Sequence, residues 1–159
     1  MSSYCSYLGH QPHISLAELS AVFPECRAER AIGAATLFSV HEELDGSSLQ
    51  DLGGTWLLAR QLLRSPQASL DAVPQILGEQ ARGIRGKVTF SLRAEGISPR
   101  ELGGLYKACK EKLKQSGRTV RYVGNERKPA ATALLRDEEL VHSEGGNPKG
   151  GCELTLLRH

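Results

Sequence analysis

Across residues 87–93 apolar and polar side chains alternate, with Val88, Phe90 and Leu92 on one side and Lys87, Thr89, Ser91 and Arg93 on the other. That period of two predicts a strand with one buried face. The period then changes. Ser98, Pro99 and Glu101 offer an N-cap, a first-turn proline and a capping-box acid, and Leu102, Leu105, Tyr106, Cys109 and Leu113 recur at helical spacing until Gly117. This predicts an amphipathic helix, followed by a strand over residues 119–123.

The same patterning organises the rest of the chain. Residues 3–9 form a candidate strand, and residues 15–23 a helix with Leu16, Leu19, Val22 and Phe23 on one side, Ser15 and Glu18 as capping box, and Pro24 as its stop. Two extended segments, 27–32 and 34–41, meet at Gly33 as a hairpin. After a polar stretch with a short helix, the segment from Thr55 reads as a strand, although its weak alternation leaves a helix open. The resulting β-α-β-β-α-β order suits a small ferredoxin-like unit in residues 1–65. Residues 64–67 form a linker. From residue 68 to 159 the pattern is α-β-α-β-α-β: a helix over 70–81 interrupted by Pro74, the central strand, helix and strand, a helix over 129–140, and a last strand with Cys152, Leu154 and Leu156 on one side. The fold class expected is mixed α/β (α+β).

Charge changes the picture in one window. Between positions 107 and 128 lie eight Lys or Arg residues against only two Glu, while the whole 159-residue chain is just +2. The positive charge is therefore concentrated, and an anionic partner is the leading functional reading. Lys107, Lys110 and Lys114 repeat at helical spacing, and Arg118, Arg121, Arg127 and Lys128 follow on the next strand and turn. The alternative is a protein-interaction or regulatory subunit whose lysines form only a solvated basic face, with no RNA role.

Other candidates weaken on inspection. His10 and His13 sit in a turn without a third metal ligand nearby, and Cys5, Cys26, Cys109 and Cys152 lack the close pairing of a zinc site, so no metal is expected. Cys26 and Cys109 read as core thiols rather than nucleophiles, and no catalytic residues are assigned. The loop at 145–151, GGNPKGG, lacks the Ser or Thr after Lys149 that a phosphate-cradling Walker loop needs, though Lys149 remains a candidate phosphate contact. The tetrapeptide at 51–54, acidic-Leu-Gly-Gly, recurs at 101–104 as a chance repeat. With 3 Phe, 4 Tyr and 1 Trp, binding by aromatic stacking alone is disfavoured. Without an apolar run of spanning length or a signal-like N-terminus, a soluble cytoplasmic protein with no membrane partner is expected.

The segments YLGHQPHISLAELSAVFP, LGGTWLLARQLL, KVTFSLRAEG, LKQSGRTVRYV and GCELTLLR, in this order, resemble the N-terminal region of THUMP-containing tRNA guanine-N2 methyltransferases and related RNA methylases. The resemblance implies a ferredoxin-like domain followed by a THUMP module that binds RNA, specifically the 3′ end of tRNA. Arg118 and Arg121 fall on the matching THUMP strand. Lys128, Pro129 and Ala130 depart from the Ser-Ser or Ser-Thr found there in relatives. The sequence contains neither a glycine-rich cofactor loop nor a catalytic tetrapeptide. S-adenosylmethionine and catalysis are thus expected of a methyltransferase domain acting in cis or in trans.

Overall fold

In the first unit, Met1–Arg64, four strands form one antiparallel sheet in the order β2-β3-β1-β4: β1 (Ser2–Leu8), β2 (Arg27–Ile32), β3 (Ala35–Val40) and β4 (Thr55–Arg60). The computed structural model describes residues 1–45, 47–65, 69–124 and 151–158. Residues 27–40 fold as the expected hairpin, its turn made by Gly33 at φ 58°. Helix α1 (Pro12–Val22) lies between β1 and β2, and a single 3-10 turn (Ser47–Leu49) stands between β3 and β4. Thr55 opens a strand, not a helix, because pairing with β1 overrides the weak alternation. The core is built from Tyr4, Leu8, Leu19, Phe38, Val40 and Leu52.

The start of α1 departs from expectation. Its first helical position is Pro12, whose fixed φ suits that place, with Gln11 as N-cap and no side-chain cap. Ser15 is buried inside the helix and donates to the Gln11 carbonyl, so the capping box does not form. Glu18 instead accepts the backbone N–H groups of Gly53 and Gly54 at 2.8 and 2.7 Å. A Cβ on Gly54 would come within 2.4 Å of Ser15 Oγ, so only glycine permits this approach.

The second unit, Ser65–Arg158, has a parallel sheet ordered β6-β5-β7: β5 (Val88–Glu95), β6 (Val120–Tyr122) and β7 (Gly151–Leu157). Pro74 stands at the opening of helix α2 (Val73–Gln80), which is preceded and followed by 3-10 turns at Leu70–Ala72 and Ala81–Gly83. The interruption expected at proline is therefore a helix start. Helix α3 (Pro99–Gln115) carries the anticipated Ser98 and Glu101 capping box, and Gly117 at φ 78° turns the chain out of it. Together Val73, Leu77, Val88, Phe90, Leu92, Leu102, Leu105, Tyr106, Cys109, Leu113 and Leu154 make the core, each fully buried large side chain contributing about 1.5–3 kcal/mol. The helix expected over 129–140 and the loop of 145–150 lie outside the described residues.

The two acidic-Leu-Gly-Gly tetrapeptides share no structure: the first is a bend before β4 and the second lies within α3. Nor is β5 half-buried as its alternation suggested. Ser91 and Arg93, on its polar side, are 1% and 5% exposed. The cause is position, since β5 is the central strand of a parallel sheet, the type usually covered on both faces. Arg93 Nε reaches Glu153 Oε1 on β7 at 3.0 Å, which compensates both buried charges.

Candidate nucleic-acid interface

Strand β5 and helix α3 are locked by Tyr106, whose hydroxyl accepts the Leu92 N–H at 3.0 Å and donates to the Leu92 carbonyl at 3.2 Å. With one side of α3 committed to the core, its cations must lie elsewhere. Lys107, Lys110 and Lys114, three and four residues apart, share one flank over about 10 Å of helix, the rise of seven residues. Lys107 and Lys114 are exposed, and Lys110 is half-buried with its Nζ 5.7 Å from the centre of the Tyr122 ring. Among the described residues, none of the three forms an ion pair with a carboxylate. Glu111 is exposed on the same helix. Lys114, like Lys112, also complements the negative C-terminal end of the α3 dipole.

The other expected contacts separate. Arg118 is not on this flank: its guanidinium donates to the carbonyls of Ala81 at 3.4 Å, Gly86 at 3.1 Å and Ile84. It closes the connection from α2 to β5 rather than presenting charge outward. Arg121 is exposed on β6, in register with Thr89. Its neighbours Val120 and Tyr122 pack on the α3 side, so alternation places Arg121 on the opposite face of the sheet from the lysines. Arg127, Lys128 and Lys149 lie outside the described residues.

A cationic element missed by sequence reasoning lies on the turn that Arg118 holds. Arg82, Arg85 and Lys87 are all exposed in the turn between α2 and β5. The signal was present as three cations in six residues interrupted by two glycines, ARGIRGK. It fell outside the charge window because twenty residues of strand and helix separate it from Lys107. Only the fold returns it to the end of α3.

The remaining titratable groups have structural environments. Burial pushes the thiols of Cys109 and Cys152 up to about 12 and about 11, and that of Cys26 upward, so they stay protonated and poor as nucleophiles. Burial also raises Glu153, with Arg93 opposing it. Glu101 is held down to about 2 by Arg158, which grips it with two bonds of 2.8 and 2.7 Å, and by Ser98. His10 and His13 are exposed, and the described residues contain no group of three metal-ligating side chains. Among them no helix is long and apolar enough to cross a membrane.

The junction of β5 with α3 is where an open parallel sheet would receive a nucleoside cofactor. Here it is closed. Arg158 donates to the Gly96 carbonyl, and a Cβ on Gly96 would lie 2.0 Å from the Arg158 carbonyl oxygen. At the start of α3 the Glu101 N–H meets the Ser98 hydroxyl and the Ser98 N–H meets the Glu101 carboxylate, so the chain caps this helix itself. Compared with family models, curated proteins and solved structures, the chain finds no match.

Proposed function

We propose that this chain is an RNA-binding module directed to tRNA, with a ferredoxin-like first unit and a THUMP-like second unit. It positions RNA for a methyltransferase domain acting in cis or in trans. The observation that carries RNA binding is the contrast between bound and unbound cations. Arg60, Arg64, Arg93 and Arg158 meet carboxylates and Arg118 meets carbonyls, whereas Lys107, Lys110 and Lys114 line one helix flank without a carboxylate partner among the described residues. Uncompensated cations at that spacing attract a polyanion, and counterion release supplies the affinity. The preference for tRNA and the methyltransferase partner rest on the sequence resemblance alone.

Lys107→Glu, Lys110→Glu and Lys114→Glu together are expected to weaken tRNA binding and flatten the log-log salt dependence by about two units, at roughly 0.7 per lost single-strand contact. Fluorescence anisotropy over a salt series measures both. Unchanged binding would return the lysines to a solvated face and favour a protein partner. A tRNA lacking its single-stranded 3′ end is expected to bind less well than intact tRNA. Equal affinities would remove the THUMP-like assignment while leaving RNA binding in place.

A further inference from the structure

We propose that the turn bearing Arg82, Arg85 and Lys87 is a second phosphate-binding element, gripping the same RNA backbone that the α3 lysines hold. This deepens the RNA-binding reading and rests on it. Between Glu79 and Glu95 the sequence has no acid at all, and its three exposed cations stand in one tight turn. Gly86 at φ 77° lets the backbone make that turn.

Arg118 organises the element from beneath. It draws the carbonyls of Ala81, Ile84 and Gly86 onto one guanidinium, while the Ile84 N–H closes back on the Ala81 carbonyl at 3.1 Å. Three acceptors that would repel an anion are thereby engaged, and a fourth positive charge lies under the turn. Peptide carbonyls are the negative ends of backbone dipoles, so engaging these three makes the potential at the turn more positive.

Position joins this turn to the lysine flank. Arg118 follows Lys114 by four residues, its N–H bonded to the Leu113 carbonyl at 3.2 Å, and Val88 N–H bonds the Thr119 carbonyl at 2.8 Å just after Lys87. The turn therefore lies at the C-terminal end of α3. A backbone following Lys107, Lys110 and Lys114 toward that end arrives at Arg82, Arg85 and Lys87. Phosphodiester recognition by exposed cations needs no base contact, which fits a surface with few aromatics.

The test uses the full chain with an unmodified tRNA transcript, followed by anisotropy across a salt series. Arg82→Glu, Arg85→Glu and Lys87→Glu together are expected to weaken binding by about tenfold or more and to flatten the salt slope by about two units. The triple glutamine variant should show the same direction with a smaller loss. Circular dichroism and the unfolding midpoint establish that each variant is folded. If the α3 lysine reversals weaken binding while the folded turn variants leave affinity and slope unchanged, the turn is not a phosphate element and RNA binding by α3 stands. If neither set matters, RNA binding itself fails, and the inference with it. Equal weakening by reversals at Arg27, Arg30 and Arg60 in the first unit would reduce both to non-specific attraction.

Discussion

Lys114 and Arg118 stand four residues apart at the end of α3 and carry the same charge, yet the fold uses them in opposite ways. Arg118 is a planar fork, and three backbone carbonyls in the connection from α2 to β5 occupy it. Lys114 is a point charge on a flexible stem, exposed and without a carboxylate among the described residues. The difference teaches that a cationic stretch becomes a binding surface only where the fold leaves its charges uncommitted. Arg93 and Arg118 act as internal fasteners, whereas Lys107 and Lys114 of α3 stay exposed.

The strongest way to probe that division is at Arg93, the most deeply committed cation. Its side chain and that of Glu153 are each 6% exposed, so Arg93→Met would leave a buried carboxylate without its guanidinium. Breaking such a pair from one side costs about 3–5 kcal/mol. Urea unfolding of the variant is expected to show a loss of that order. A change under about 1 kcal/mol would mean that Arg93 is not structural, since removing one buried partner should exceed it.

Next in size is the direct contrast between Arg118 and the lysines. Arg118→Met releases three carbonyls at once, and with bonds to a charged donor each contributing about 1.5–3 kcal/mol non-additively, a destabilisation of about 2–4 kcal/mol is expected. Arg118→Lys should recover only part, because one ammonium lacks the fork that spans these acceptors. Reversing Lys107, Lys110 and Lys114 together should cost only about 1 kcal/mol, from the lost contact with Tyr122 and the reversed charge at the helix terminus. Equal unfolding shifts in the two variants would erase the distinction on which the binding surface is assigned.

Much of the fold was legible in local pattern. The capping box at Ser98 and Glu101, the apolar stripe of α3, the strand at Val88 and the hairpin at Gly33 each depend on residues within a few positions of one another. What escaped depends on distant partners. Ser15 looked like a cap because Glu18 follows it by three, but Glu18 is held by amides thirty-five and thirty-six residues away. Arg93 looked solvent-facing because strand alternation carries no information about β7, whose Glu153 lies sixty residues on. The same limit governed the candidate site. Lys107, Lys110 and Lys114 group by helical spacing, whereas neither the hold of Arg118 on three distant carbonyls nor the nearness of the turn at Arg82 to Lys87 is written in local pattern. Both depend on how α2, β5 and α3 meet.

The smallest expected effect separates two ion pairs of the second unit, Arg158–Glu101 and Arg93–Glu153, by pH. Arg158 and Ser98 hold the Glu101 carboxyl down to about 2, well below its ordinary 4.5, so the folded state favours the ionised form. Its stabilising contribution is therefore complete above about pH 4.5 and disappears as pH falls toward 2. For Glu153 the sign is reversed, because burial outweighs the pull of Arg93 and raises its pKa. Its protonated form is favoured on folding, and stability from that source declines as pH rises above 4.5. Glu101→Gln should accordingly flatten the acid side of the stability profile between pH 4.5 and 2, read from urea midpoints, and leave the profile above pH 4.5 with its original slope. Because Glu101 and Arg158 are both substantially exposed, at 40% and 44%, salt should shrink this acid-side difference while leaving the buried pair largely unaffected. An acid limb identical in the variant and the parent would show that the outer pair contributes nothing, and that Arg158 is held at the end of β5 by its backbone bonds alone.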